Sequence, residues 1–333
     1  MNTGEIAYLA FSERGEQLAS RLAEALGGTA QRAGGAVRLD EWTAERFARC
    51  RALVYVGAAG IAVRAIAPHV NSKVSDPAVV AVDERGRFAV PLLSGHLGGA
   101  NALARRIAAV CGATAVITTA TDASGVFAVD EWARVQNCAL DDPQRIKGIS
   151  SRLLSGETVR VRSAFPIAGE TPQGVEITQG DADAAVDIRR SEDGTLHLIP
   201  RVLVLGVGCR RGTAAETLES RFAALCEKHQ IDPRAVCAAA SIDRKADEPG
   251  LQAFCRAHGW PLMTYSAQEL RGVEGTFSAS DFVRERTGVD NVCERSAVLA
   301  SHGTLIAGKF AGEGVTLALA QKPIALDWRW QDG

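Results

Sequence analysis

The chain has 333 residues, 47% of them hydrophobic, with 37 basic against 39 acidic side chains. That length allows two or three domains with substantial cores, and the balanced charge argues against a generally basic nucleic-acid binder while leaving room for a local basic pocket. Aromatic residues make up 5%, too few for the stacking platforms of single-strand binding.

In chain order, Ile6 to Phe11 reads as a first strand and Arg14 to Leu26 as an amphipathic helix, with Leu18, Leu22 and Leu26 on one face and Gly27 and Gly28 ending it. Val37 to Leu39 reads as a short strand, and Thr43 as the cap of a helix containing Phe47. Ala52 to Val56 is a buried strand that Gly57 and Gly60 turn into a short helix stopping before Pro68. Strand, glycine turn and helix recur here, as in a parallel α/β sheet. Val79 to Asp83 and Arg87 to Leu93 predict a hairpin. Ser94, Gly95 and His96 follow, with Gly98 and Gly99 opening a helix whose apolar face is Leu97, Leu103, Ile107 and Val110. Ala115 to Thr118 is a further short strand, leading into Asp122.

Between Pro143 and Ile199 the pattern changes to one helix, Pro143 to Leu154, and short strand candidates separated by Pro and Gly turns. Arg201 to Thr213 then opens a second strand–glycine–helix unit, with Thr213 as the cap of a helix running to about His229. Val236 to Ile242 and Pro261 to Tyr265 read as strands, Pro249 to His258 as a helix, and Ser280 or Asp281 as the start of another. A hairpin of Thr304 to Phe310 against Val315 to Gln321 and a polar tail with Trp328 and Trp330 finish the chain. The fold class is α/β: an N-terminal α/β domain over 1–136, a small α+β bridging segment over 137–200, and a C-terminal α/β domain over 201–323, with mixed or parallel sheets.

The eight cysteines stand singly, without a CxxC pair, so neither a zinc ribbon nor a thioredoxin-type site is indicated. No secretory leader is expected from the first residues, and no stretch reaches the roughly 18 apolar residues of a membrane span. Reduced thiols in a cytoplasmic protein, with neither membrane nor nucleic acid as partner, are the expectation.

Chemistry gathers at Ser94 to Arg106. A strand emptying through glycines into a helix presents free N–H groups and the positive end of the helix dipole, which favours anions. A hydroxyl and an imidazole lie at the same point; the plainer alternative is a structural turn with a polar His. Gly206, Gly208 and Gly212 form G-x-G-x-x-x-G, one residue longer than the dinucleotide fingerprint. Arg210 and Arg211 make that loop a better carboxylate binder, and Cys209 within it is a candidate activated thiol. Asp243 to Glu248 follows a strand, where α/β proteins place ligand contacts. Arg64, His69, Lys73 and Asp76 are expected to share a cleft with Ser94 and His96. A Ser94–His96–Asp122 triad can be assembled, but without the G-x-S-x-G elbow, and water activated by His96 is the more economical proposal.

Five blocks are similar to one known family. They are Asp76 to Phe88 (DPAVVAVDERGRF), Leu92 to Arg106 (LLSGHLGGANALARR), Val116 to Asp122 (VITTATD), Leu203 to Thr213 (LVLGVGCRRGT) and Lys245 to Leu251 (KADEPGL). Together they resemble the cobalt-precorrin-5A hydrolase family (CbiG type) of cobalamin biosynthesis, and the resemblance covers essentially the whole chain. It implies a cobalt-bearing, ring-contracted tetrapyrrole carrying a δ-lactone, which water opens with release of acetaldehyde to give cobalt-precorrin-5B. Cobalt comes with the substrate, so no cofactor or metal of the protein's own is expected. Neighbouring cobalamin-pathway enzymes are the expected macromolecular partners.

Lactone opening needs a base, an oxyanion donor set and an acid. His96 is expected as base or acid, Ser94 to position water, Asp122 as a proton acceptor, and the N–H groups around Gly98 as oxyanion donors. Substrate contacts are expected from Gly95, Gly98, Gly99 and Asn101, from Arg64, Lys73 and Asp76, and from Gly208, Cys209, Arg210, Arg211, Asp243 and Lys245. Two rival classes use the same loops. A corrinoid carrier would bind without turnover, and a nucleotide-dependent oxidoreductase would bind NAD(P) at Gly206 to Gly212.

Overall fold

The computed structural model describes residues 3–72, 75–190 and 194–330, and Lys73 lies outside them. In the first unit, β1 (Thr3–Ala10), α1 (Glu13–Leu26), β2 (Thr29–Arg32), α2 (Leu39–Arg49), β3 (Cys50–Val56), α3 (Ala59–Ile66), β4 (Ala78–Val82), β5 (Phe88–Leu93), α4 (Ala100–Cys111) and β6 (Thr114–Ala115) form a six-stranded sheet, ordered β2-β1-β3-β4-β5-β6, with its helices. Only the β4–β5 pairing is antiparallel. Alternation along β1 explains the two-sided core. Tyr8 packs with Leu22, Leu103 and Ile107 on the face covered by α1 and α4. Leu9 packs with Trp42, Phe47 and Ile66 on the face covered by α2 and α3.

Three expectations are corrected here. Val37 pairs only with Gly34 in an isolated bridge, and the strand of this region is β2. Thr43 lies inside α2, buried, with its hydroxyl 2.9 Å from the Tyr55 hydroxyl, so it satisfies a buried phenol and caps nothing. Leu97 precedes α4 and packs on the core of the second unit, so it does not continue the helix's apolar face.

The second unit begins with α5 (Ala120–Ser124) and α6 (Val129–Val135) and continues through β7 (Cys138–Leu140), α7 (Ile146–Leu154), β8 (Val159–Ser163), β9 (Ile167–Ala168), β10 (Val175–Ile177), β11 (Ala184–Val186) and β12 (Leu196–Pro200). Its five-stranded sheet has the order β10-β8-β11-β12-β7. Phe127, Val129 and Trp132 fill one core with Ile149, Val161 and Leu198.

The third unit comprises β13 (Leu203–Cys209), α8 (Ala215–His229), β14 (Val236–Ile242), α9 (Pro249–His258), β15 (Leu262–Tyr265), α10 (Ala267–Arg271), α11 (Asp281–Thr287), α12 (Cys293–Ser301), β16 (Thr304–Gly312) and β17 (Val315–Gln321). Its sheet runs β15-β14-β13-β17-β16, parallel on one side of β13 and antiparallel on the other. Ser280 caps α11 as expected. Thr213 does not cap α8: the helix starts after Ala214, and the Thr213 hydroxyl donates to the Arg210 carbonyl.

The chain then returns to the second unit. β18 (Leu326–Asp327) pairs with β9, Trp328 is buried in that unit's core, and Trp132 Nε1 donates to the Asp327 carbonyl at 2.6 Å. The expected polar tail is therefore a structural strap, held by burial of its aromatic rings. Among the described residues no helix is long and apolar enough to cross a membrane.

Candidate functional site

The loop after β5 closes on itself. Ser94 adopts φ 56°, a conformation uncommon outside glycine, and the N–H groups of Gly99, Ala100 and Asn101 donate to the carbonyls of His96, Ser94 and Gly95 at 2.9, 3.1 and 2.9 Å. A Cβ on Gly98 would lie 2.3 Å from Ser94 Cβ, so the tight turn requires glycine there. These N–H groups, expected to face an anion, are spent within the turn. Ser94 Oγ donates to the Asp76 carbonyl at 3.0 Å, away from the imidazole, so no Ser–His–Asp triad forms. The Asp76 carboxylate accepts the Asn71 and Ser72 N–H groups at 2.9 and 3.0 Å and stabilises its own loop. Arg64 is exposed on α3, with one guanidinium contact to its own helix at the Gly60 carbonyl. His69 leans on Phe47.

His96 is gripped from both sides. Its Nε2 lies 2.8 Å from Asp122 on α5, and its Nδ1 lies 3.2 Å from Asp130 on α6. The three side chains are 15%, 10% and 11% exposed. Asp122 is further held by Asn101 Nδ2 at 3.0 Å, Arg105 Nη2 at 2.5 Å and the Thr119 hydroxyl. Gly95 makes room for this arrangement, because a Cβ there would approach the Asn101 amide oxygen to 2.9 Å. Burial disfavours a charged imidazole, but the hydrogen bonds and charges of Asp130 and Asp122 outweigh it and raise the His96 pKa to about 9. Burial likewise opposes ionisation of Asp122, and its donors Thr119, His96 and Arg105 still hold it below the ordinary carboxylate range. Near neutral pH the group is an imidazolium between two carboxylates, with both ring nitrogens donating. It can give a proton; it is not a base until it has done so.

Sequence reasoning missed Asp130. Its helix packs in the core of the second unit while His96 stands at the edge of the first, so the ion pair spans their junction. The available signal was the acidic pair Asp130–Glu131 inside the apolar run Val126 to Ala133. Glu131 is buried, bonded to Arg134 at 2.6 Å, with its pKa raised by burial.

The second loop opens onto a pocket of about 750 Å³ in the third unit. Gly208, Cys209, Arg210, Arg211 and Lys245 line it; Asp243 does not, its carboxylate turning back to the Arg244 N–H. Gly206 and Gly208 lie within β13 and make no phosphate turn. A Cβ on Gly206 would sit 1.8 Å from the Cys293 carbonyl oxygen, so that glycine admits α12 against the sheet, which removes the dinucleotide reading of the motif. The Gly212 N–H is taken by Glu248, which also pairs with Lys245 at 2.7 Å. Burial raises the Cys209 thiol against the opposing charge of Lys245, so Cys209 is no activated nucleophile.

Comparison with known proteins agrees at both ends of the chain. The family profile described as Cobalamin synthesis G N-terminal matches residues 41–122, and that described as Cobalamin synthesis G C-terminus matches residues 203–320. The cobalt-precorrin-5A hydrolase of Salmonella typhimurium is 38% identical over 291 residues, covering 83% of each chain. That of Priestia megaterium is 30% identical over 300 residues, covering 83% of this chain and 80% of its own. A solved cobalamin biosynthesis protein G homolog from Sulfolobus solfataricus aligns at 19% identity and a TM-score of 0.42 over 96% of this chain and 97% of that one. The chain belongs to the cobalamin synthesis G family, the family of the cobalt-precorrin-5A hydrolases.

Proposed function

We propose that the chain hydrolyses cobalt-precorrin-5A, opening its δ-lactone and releasing the two-carbon fragment as acetaldehyde. The observation that carries this reading is the 38% identity, across 83% of both chains, to a hydrolase of that name. The geometry adds a proton donor suited to the reaction. In the first step water adds to the lactone acyl carbon and the acyl–oxygen bond breaks. The His96 imidazolium gives its proton to the departing alkoxide, while the attacking water loses one proton to solvent as it adds and its second as the new carboxyl group ionises. In the second step the freed hydroxyl loses its proton to the now neutral His96, a carbon–oxygen double bond forms, and the carbon–carbon bond to the ring breaks. The electron pair passes into the macrocycle and acetaldehyde departs. One histidine thus acts as acid and then as base, and ends protonated again.

Asp122, fixed by Asn101, Thr119 and Arg105, orients the ring. The longer contact, from Nδ1 to Asp130, is the one a substrate oxygen would displace. Cobalt belongs to the substrate in this scheme. The test is anaerobic incubation with cobalt-precorrin-5A and a carbonyl trap. Several equivalents of trapped acetaldehyde per protein support the hydrolase; tight binding without acetaldehyde would replace it with a carrier.

A further inference from the structure

The pocket of the third unit is lined by more cationic than anionic side chains. Five cationic side chains line the pocket, Arg210, Arg211, Lys245, Arg286 and Lys309, against a single carboxylate, Asp290. Asp290 is already committed to Arg295 at 2.8 Å, and Lys245 to Glu248 outside the lining. The cations come from four separate segments: the loop after β13, the turn after β14, helix α11 and strand β16. Apolar wall is supplied by Ile242, Val283, Val292 and Val315. Glycines keep the space open, since a Cβ on Gly314 would meet Arg210 Cδ at 2.8 Å and one on Gly208 would meet Thr316 Oγ1 at 2.5 Å.

A volume of about 750 Å³ lies within the range of a pocket for a whole organic ligand and is large for one small anion. Apolar wall with cations on several segments matches a broad apolar ring system that carries separate carboxylates, each free to take a charge-assisted hydrogen bond from a different segment. A nucleotide fits less well, because its charge is concentrated in one phosphate run and the backbone N–H of the glycine loop is spent on Glu248.

We infer that this pocket seats a carboxylate-fringed macrocycle, with Arg286 and Lys309 joining Arg210 and Arg211 as the residues that read its side chains. The inference rests on the proposed hydrolase reading and deepens it: the substrate is held by the third unit through its acetate and propionate groups. Lys309 and Arg286 belong to no glycine motif, so they are the residues that test it.

The experiment is a spectrophotometric titration of the full-length protein with two stable probes. One is a cobalt corrin with free carboxylate side chains; the other is the same corrin with those side chains amidated. The expected result is preference for the carboxylate form, lost progressively with salt, with Lys309→Ala and Arg286→Ala each weakening it about tenfold and Lys309→Arg restoring most of the loss. Circular dichroism of each variant checks that it is folded. Equal affinity for the two probes, or carboxylate-corrin affinity unchanged in the double variant, would overturn the inference. Acetaldehyde release is measured in parallel. Turnover with an unmoved KM in the double variant sinks the pocket alone, whereas wild-type binding without turnover sinks the hydrolase and leaves the pocket standing.

Discussion

Around His96, cations and carboxylates answer one another inside the fold, whereas around Arg210 and Arg211 positive charge faces an open cavity. The two regions start from the same local grammar, a strand running through glycines toward a helix. In the first, the N–H groups of Gly99, Ala100 and Asn101 go to neighbouring carbonyls, and in the second that of Gly212 goes to Glu248. The sharper difference between them lies in side chains. Burial at a junction of two units makes the first a closed, charge-balanced cluster that holds a proton. Exposure leaves the second an open, cation-lined surface in contact with solvent.

The largest effect is expected from breaking the closed cluster. His96→Ala leaves two buried carboxylates without the cation between them, which should cost about 4 kcal/mol of unfolding free energy and lower turnover by about 100-fold or more. Urea denaturation and acetaldehyde release measure the two. His96→Gln, which keeps a hydrogen-bonding side chain, separates them by recovering part of the stability and none of the turnover. Wild-type stability in His96→Ala would mean that the cluster is not the clamp described here.

A second way to sharpen the contrast uses pH. The His96 pKa rises from 6.5 to about 9 on folding, so its ionic contribution is complete below about pH 6.5 and is lost as pH rises through about 9. A shift of that size corresponds to about 3 kcal/mol. Denaturation midpoints across this window should fall with rising pH in the wild type and flatten in Asp130→Asn, which removes one of the two carboxylates. A slope unaffected by that substitution would remove Asp130 from the account. The smallest effect belongs to the open region. Arg210→Ala with Arg211→Ala should move unfolding free energy by no more than about 0.5 kcal/mol, because both side chains are exposed. A loss of several times that would show their charge to be structural.

The contrast also explains what could be read from the sequence. Long or strongly patterned elements were legible: the alternation of β1, the amphipathic α1, the β16–β17 hairpin and the strand entering each glycine loop. β2 was not, since Thr29 to Arg32 is four residues long and carries little apolar signal. Helices α5 and α6, of five and seven residues, are too short for a 3.6-residue period to declare itself. His96 and Asp122 stood out because each sits beside a glycine- or threonine-rich turn. Asp130 did not, because its contact with His96 is made across 34 residues by the docking of one unit on another. The same long-range packing hid the tail, where Trp328 and Asp327 meet residues nearly 200 positions earlier. Lys309 and Arg286 lie on ordinary elements and gain meaning only from the cavity they share.

The most direct test of the central claim is the pH dependence of acetaldehyde release from cobalt-precorrin-5A, for the wild type and Asp130→Asn side by side. If the His96 imidazolium is the acid that starts the reaction, kcat holds at neutral pH and falls as pH rises through about 9, and Asp130→Asn moves that fall to lower pH. A wild-type rate that instead climbs through the same window would mean that the reaction begins with a deprotonated base, and would contradict the account.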